Sequence, residues 1–364
     1  MLEVRSLCAS RGAFELRGID FCLGAGEGLG ILGASGAGKS TLLDMIAGLE
    51  HPDEGSIEQG GWRVNDARSK IAPERRDCAY LMQDLGLWEH LSAERNVELV
   101  AHGPRGRGQS ADILTRVGFA AQREASVSAL SGGERQRVAL ARMLACSAGL
   151  VLLDEPGAHL DRAARCELAE LVRADLGECG SSWIVAAHDL ESLLRYEPRM
   201  LLLLAHGRVI GQGTTATLID SPGRREAAEL LGYNLFLPAE RSSSSWTCAL
   251  GTFSHRASWP VVDGACALAW RPGGIRIARD GPARARVLRV RLTDRGSGAM
   301  IGLEGGGSLM ASGGDHAEPG SPVALEWDPP TLVVDRDGAT GASVLVRTEG
   351  RPPTGESNSP WEES

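Results

Sequence analysis

Gly33-Ala34-Ser35-Gly36-Ala37-Gly38-Lys39-Ser40-Thr41 is the stretch that decides how this chain folds. It matches G-x-x-x-x-G-K-[ST], in which glycines let backbone N–H groups wrap a phosphate and the next helix points its positive end at it. Lys39 is placed to reach the β- and γ-phosphates, and Ser40 offers a hydroxyl to Mg²⁺. The apolar run Leu29-Gly30-Ile31-Leu32 before the loop reads as a strand. Lys39 to Gly48 reads as a helix closed by glycine. A glycine-rich turn before a helix would look alike in a chain with 47 glycines, so the order of further motifs carries the argument. Downstream, Leu150-Val151-Leu152-Leu153 runs into Asp154-Glu155, which sets two carboxylates at the strand end where a parallel sheet presents ligands. Asp154 suits Mg²⁺, and Glu155 suits a general base that polarises the attacking water. Between these two halves of a nucleotide site stands Leu130-Ser131-Gly132-Gly133-Glu134-Arg135-Gln136-Arg137. It opens a helical pattern with apolar residues at Val138, Leu140, Ala141 and Leu144.

Gln83, in Tyr80-Leu81-Met82-Gln83-Asp84, and His188, just after the apolar run Trp183–Ala187, complete a series of motifs. Taken together, Gly33–Thr41, Gln83, Leu130–Gln136, Asp154-Glu155, Leu160-Asp161 and His188 resemble ABC transporter ATPases in order and approximate spacing, over about residues 1–230. The resemblance implies a head-to-tail homodimer. Each ATP would lie between one chain's phosphate loop and the other's Ser131, Gly132, Gly133 and Glu134. It further implies that Gln83 senses Mg²⁺ and water, that His188 meets the γ-phosphate, and that Asp161 lines the dimer seam. Membrane permease subunits would dock near Gln83–Val97, and a substrate-binding protein would complete the assembly at the cytoplasmic face of the inner membrane.

Two departures from the family pattern stand out. The place of the usual adenine-stacking aromatic falls near Ser10-Arg11, with Phe14 the nearest ring; Arg11 could stack through its guanidinium plane. The loop after Pro156 reads Gly157-Ala158-His159-Leu160-Asp161 rather than the usual serine-containing version, which would alter communication between the two sites.

Val64–Ala67, Ile71–Arg76, Tyr80–Asp84 and Leu87–His90 are similar to the molybdate importer ATPases, which also tend to lack the adenine-stacking aromatic. Molybdate or tungstate is therefore the expected cargo, with sulfate, ferric iron or polyamine as alternatives. A soluble ABC ATPase acting on DNA or ribosomes is the remote alternative; such proteins carry a long coiled-coil insert or two cassettes, and neither pattern is present.

Composition sets the outer limits. At 364 residues with 43% hydrophobic content, the chain can hold two folded domains. A net charge of −9 argues against a nucleic-acid-coating surface. The longest apolar run, Met200–Ala205, is far short of the roughly 20 residues of a membrane span, and the N-terminus does not read as a signal peptide. The eight cysteines are scattered without a C-x-x-C pair and read as reduced packing thiols. Only two lysines occur, Lys39 and Lys70, and one of them sits in the phosphate loop, where a planar guanidinium replaces a compact ammonium poorly.

The expected architecture is an α/β nucleotide-binding domain over residues 1–231 with a helical insert at roughly 85–145. A linker follows at 232–245, then a small all-β domain at 246–347 resembling an oligonucleotide-fold barrel, and a disordered tail at 348–364. Arg284, Arg286, Arg289 and Arg291 on one β-prone run read as a charged strand edge more readily than as an oxyanion-attracting face.

Overall fold

In the computed structural model the chain is described over residues 1–66, 68, 71–101, 109–158, 160–220 and 222–241, and beyond that over strand segments alone. It divides into two compact units, Met1–Thr215 and Ala216–Ser364.

The first unit begins with β1 (Leu2–Arg11) and β2 (Phe14–Leu23), then β3 (Gly28–Leu32) and α1 (Lys39–Ala47). Strands β4 (Glu54–Gln59), β5 (Trp62–Asp66) and β6 (Cys78–Leu81) precede three helices in the expected insert: α2 (Ala93–Ala101), α3 (Ser110–Arg116) and α4 (Gly132–Leu144). The chain returns through β7 (Leu150–Asp154), α5 (Arg162–Cys179), β8 (Ser182–Ala187), α6 (Leu190–Leu194), β9 (Met200–Ala205) and β10 (Arg208–Thr214).

Every residue of β3, β7 and β8 is buried, because their unbroken apolar runs can only be satisfied by cover on both faces. They form the centre of a sheet ordered β10-β9-β3-β8-β7-β6, parallel except for the edge strand β10. A second, antiparallel sheet has the order β2-β1-β4-β5. One core cluster joins Leu42, Leu43, Met45 and Ile46 of α1 to Leu7, Ile19 and Ile57 from the small sheet and to Leu152, Ile184 and Leu202 from the large one. Helix α1 is thus gripped from both sides, which fixes the loop at its start.

Parallel pairing aligns the carboxyl ends of the central strands. Leu32 of β3 stands opposite Ala187 of β8, and Asp154 of β7 opposite Ala186. The residues that leave these ends are Gly33, Glu155 and His188, so one sheet edge gathers three motifs that lie far apart in sequence.

In the second unit, α7 (Thr215–Asp220) spans the division and α8 (Arg225–Leu230) follows. The strands are β11 (Leu235–Arg241), β12 (Ser245–Cys248), β13 (Gly251–Ser254), β14 (Cys266–Trp270), β15 (Ile275–Ala278), β16 (Ala285–Thr293), β17 (Gly296–Leu303), β18 (Ser308–Ser312), β19 (Pro322–Trp327), β20 (Thr331–Val334) and β21 (Val346–Arg347). Their backbones pair as a sheet ordered β13-β12-β11-β14-β20-β21 and as a closed ring β15-β18-β17-β16-β19. The expected linker is corrected at β11: Leu235, Phe236 and Leu237 pair with Trp270, Ala269 and Leu268 of β14. An apolar run beside a partner strand satisfies its backbone in a ladder, and the serine-rich signal only begins at Ser242. Residues 348–364, His159, Lys70 and Arg284 lie outside the described residues, as do the side chains of β16 that carry Arg286, Arg289 and Arg291.

Among the described residues no helix is long and apolar enough to cross a membrane. The described cysteines, Cys8, Cys22, Cys78, Cys146, Cys166 and Cys179, form no disulfide with one another.

Candidate active site

The loop between β3 and α1 keeps Ala34, Ser35 and Gly36 exposed while Lys39 is buried. Gly36 and Gly38 take left-handed φ values of 77° and 104°. At Gly38 a side chain is doubly excluded, because a Cβ would lie 2.5 Å from Phe14 Cζ. Gly38 is the N-cap of α1 without a side-chain cap, and the first turn holds no acidic residue, so its N–H groups stay available to an anion. Lys39 Nζ donates to the carbonyls of Gly33 at 2.9 Å and Ala34 at 3.2 Å, and lies 3.5 Å from Glu155 Oε1.

Glu155 sits between Lys39 and His188. Its other oxygen, Oε2, is 3.4 Å from His188 Nδ1, while His188 Nε2 is 3.6 Å from Asp189 Oδ2. The Glu155 backbone has φ of 46°, a left-handed value that costs a non-glycine residue on the order of 1 kcal/mol. Its N–H is nevertheless bonded to the Ala186 carbonyl at 3.0 Å, which locks the turn. This is a side chain held at the sheet edge under tension, next to the lysine that would meet phosphate.

Asp154 is 2% exposed, and its Oδ1 has no hydrogen-bond partner among the described residues. Burial pushes its carboxyl above the usual carboxylate range; the Ser40 hydroxyl, Lys39 and Tyr80 pull the other way, while Glu155 adds to the rise. A buried, unsatisfied carboxylate oxygen beside a serine hydroxyl and below a phosphate-binding loop is the donor set a hard divalent cation takes. The residues fit Mg²⁺. Gln83 lies exposed two residues past β6, whose Leu81 pairs with Leu153 of β7, so it leaves the sheet beside Asp154 and Glu155.

The signature residues stand elsewhere on the surface. Ser131 caps α4 in a closed box with Glu134: its backbone N–H and hydroxyl donate to Glu134 Oε2 at 2.8 and 2.7 Å, and its hydroxyl accepts from the Glu134 N–H at 3.4 Å. The Ser131 bonds hold the Glu134 carboxyl below the usual range. Ser131 and Gly132 are exposed, and a Cβ on Gly133 would meet Leu160 at 3.4 Å. Asp161 accepts from the Ala164 N–H at 2.9 Å and so caps α5. Buried Gln136 donates to the Pro156 carbonyl at 2.9 Å, tying the signature helix to the loop that follows Glu155.

Three further features escaped the sequence reading. Arg11 is committed to Glu50 Oε2 at 2.8 Å and the His51 carbonyl at 2.9 Å, while Phe14 packs on Gly38, so the ring rather than the guanidinium borders the phosphate loop. Arg76, 1% exposed, donates to the carbonyls of Met45, Ile46, Val64 and Ile71. Trp88 is 40% exposed but immobilised: Asn96 bonds its N–H and C=O, and the Arg142 guanidinium lies 5.2 Å over its ring. The Arg11–Glu50, Arg76–Met45 and Arg142–Trp88 contacts join elements distant in sequence, so no local pattern announces them.

The family model described as ABC transporter matches residues 16–158. A ferric-iron import ATP-binding protein of Streptomyces avermitilis is 31% identical over 341 residues, covering 91% of this chain and 96% of that protein. This chain belongs to the ABC transporter ATP-binding family. As a member it is an ATPase. A sulfate/thiosulfate import ATP-binding protein of Chromobacterium violaceum is 38% identical over 248 residues, 66% of each protein. Among solved structures, a dimeric bacterial ABC transporter cassette is 26% identical with a TM-score of 0.52, over 59% of this chain and 98% of that one. In this ABC ATPase, Lys39, Glu155 and His188 lie in contact at the sheet edge where Asp154 ends β7.

Proposed function

We propose that this ABC ATPase drives an importer of an inorganic ion as a head-to-tail homodimer. Its permease subunits dock near Gln83–Val97, the stretch that holds the immobilised and partly exposed Trp88, and a substrate-binding protein delivers the cargo. The observation that carries the reading is the division of the site. The hydrolytic groups converge at one sheet edge, while Ser131, its N–H held by Glu134 in the capping box, and the neighbouring Gly132 stand exposed at the start of α4, where a second molecule's nucleotide can reach them. ATP bound at Gly33–Thr41 would be completed by Ser131, Gly132, Gly133 and Glu134 of the partner, with Asp161 at the seam. Mg²⁺, held by Ser40 and Asp154 with Gln83 at its margin, would offset phosphate charge. Glu155 would take the proton of the attacking water, and His188 would hold the γ-phosphate. Residues 246–347 would form an oligonucleotide-fold-like regulatory domain, and the assembly would sit peripherally at the cytoplasmic face of the inner membrane.

The names of the relatives favour ferric iron or sulfate as cargo over molybdate or tungstate, which rest on motif resemblance alone. Elemental analysis of cells with and without the gene, at low micronutrient supply, tests this. A fall in iron or sulfur, restored by wild type but not by Lys39→Ala, supports the preferred cargo. A fall in molybdenum or tungsten returns the cargo to the motif-based reading, and no elemental change rules out an inorganic ion.

The split site makes its own prediction. Ser131→Arg places a bulky cation where the partner's γ-phosphate would lie, so hydrolysis should fall about a hundredfold, the scale of losing an aligned transition-state donor. Binding of ATP to the variant's own phosphate loop, followed by nucleotide fluorescence, should change by less than about threefold. Full hydrolysis by this variant would sink the shared site.

A further inference from the structure

The Tyr80 hydroxyl stands among carboxylates. It donates to Asp44 Oδ1 at 3.2 Å. Asp44 follows Ser40 by one helical turn on α1 and so shares its face. Tyr80 of β6 pairs with Leu152 of β7, and Asp154, two residues on, returns to the same face of the sheet. Asp154 is thus a second acceptor within the hydroxyl's reach, and Tyr80 bears on the Asp154 charge as it does on that of Asp44. A phenol has one proton to give. With that proton on Asp44, Asp154 Oδ1 remains buried without a partner.

We propose that Asp44 is a positioning residue that draws the Tyr80 proton away from Asp154, so that Asp154 Oδ1 stays free for the divalent cation. An unsatisfied buried acceptor costs about 1–3 kcal/mol, and a cation arriving there removes that cost. Were Asp44 absent, Tyr80 would turn its hydroxyl to Asp154 and satisfy the oxygen the metal needs. Tyr80 would then compete with the metal instead of standing aside. The inference rests on the Mg²⁺ role assigned to Asp154 above.

The test measures binding rather than turnover. The full-length chain is titrated with a fluorescent, non-hydrolysable ATP analogue in EDTA and again in Mg²⁺, and the ratio of the two affinities reports the metal's contribution. Asp44→Leu should lower that ratio about tenfold, the lower end of the cost of changing an outer-shell partner, with the EDTA affinity unchanged. Asp44→Asn keeps an acceptor and should leave the ratio within about twofold of wild type. Adding Tyr80→Phe to Asp44→Leu removes the competing donor and should restore the ratio. A double variant as impaired as Asp44→Leu overturns the proposal, as does an Asp44→Asn ratio equal to that of Asp44→Leu. Asp154→Asn separates the underlying reading: if wild type shows a Mg²⁺-dependent ratio that Asp154→Asn leaves intact, the assignment of Asp154 to the metal falls, and the role of Asp44 with it.

Discussion

Glu155→Gln should reduce steady-state ATP hydrolysis by about two to four orders of magnitude, the contribution of a placed general base. The substitution preserves size and keeps a polar group between Lys39 Nζ and His188 Nδ1, now 3.5 and 3.4 Å from the carboxylate. What it removes is the basic oxygen. Neither the glycine-rich loop nor the N-terminus of α1 depends on the Glu155 charge, so ATP affinity should stay within a few-fold. Lys39 also loses a competing anion, which would favour its move onto phosphate. The variant should accumulate as an ATP-dependent dimer in size-exclusion chromatography and release it in EDTA. Retention of more than about a tenth of wild-type hydrolysis would take the general-base role from Glu155.

The largest stability effect should come from a residue with no part in the chemistry. Arg76→Ala withdraws a guanidinium from the carbonyls of Met45 and Ile46 at the end of α1, from Val64 in β5 and from Ile71. Gly48, the α1 C-cap, takes φ of 86° directly against that guanidinium, and a Cβ there would lie 2.4 Å from Arg76 Nε. Burial lowers the Arg76 pKa, yet a cation at a helix C-terminus is favourably placed. Buried acceptors left without donors cost about 1–3 kcal/mol each, so a loss of about 4 kcal/mol is expected, some carbonyls keeping second donors. For a unit of this size that lowers Tm by about 8–16 °C. Arg76→Lys should recover little, since one ammonium cannot span the fork. Calorimetry showing Tm within about 2 °C of wild type would remove Arg76 from this role.

The two predictions mark how far the sequence could be read. Lys39, Ser40, Asp154, Glu155 and His188 stood out as candidates because each follows a short apolar run, and those runs, bounded by turn signals, read as the buried strands the structure has there. The helix from Lys39, the strands at 29–32, 150–153, 183–187 and 200–204, and the helix opening at the signature followed from periodicity and glycine signals, whereas α2 and α3 were covered only by the expectation of a helical insert. The linker expectation at 232–245 failed because serine and proline counts do not reveal that Leu235–Leu237 has a partner strand some thirty residues on.

Local sequence therefore determined the nucleotide chemistry, since phosphate loops and strand-end carboxylates are built from contiguous residues with fixed conformations. Tertiary structure alone decided what surrounds it. The Lys39–Glu155–His188 contacts, the Asp44–Tyr80 bond beside Asp154, the Arg76 clamp and the displacement of Arg11 by Phe14 at the loop all join residues from separate elements. Such contacts arise from strand order and from the grip of two sheets on α1, and no window along the chain contains both partners.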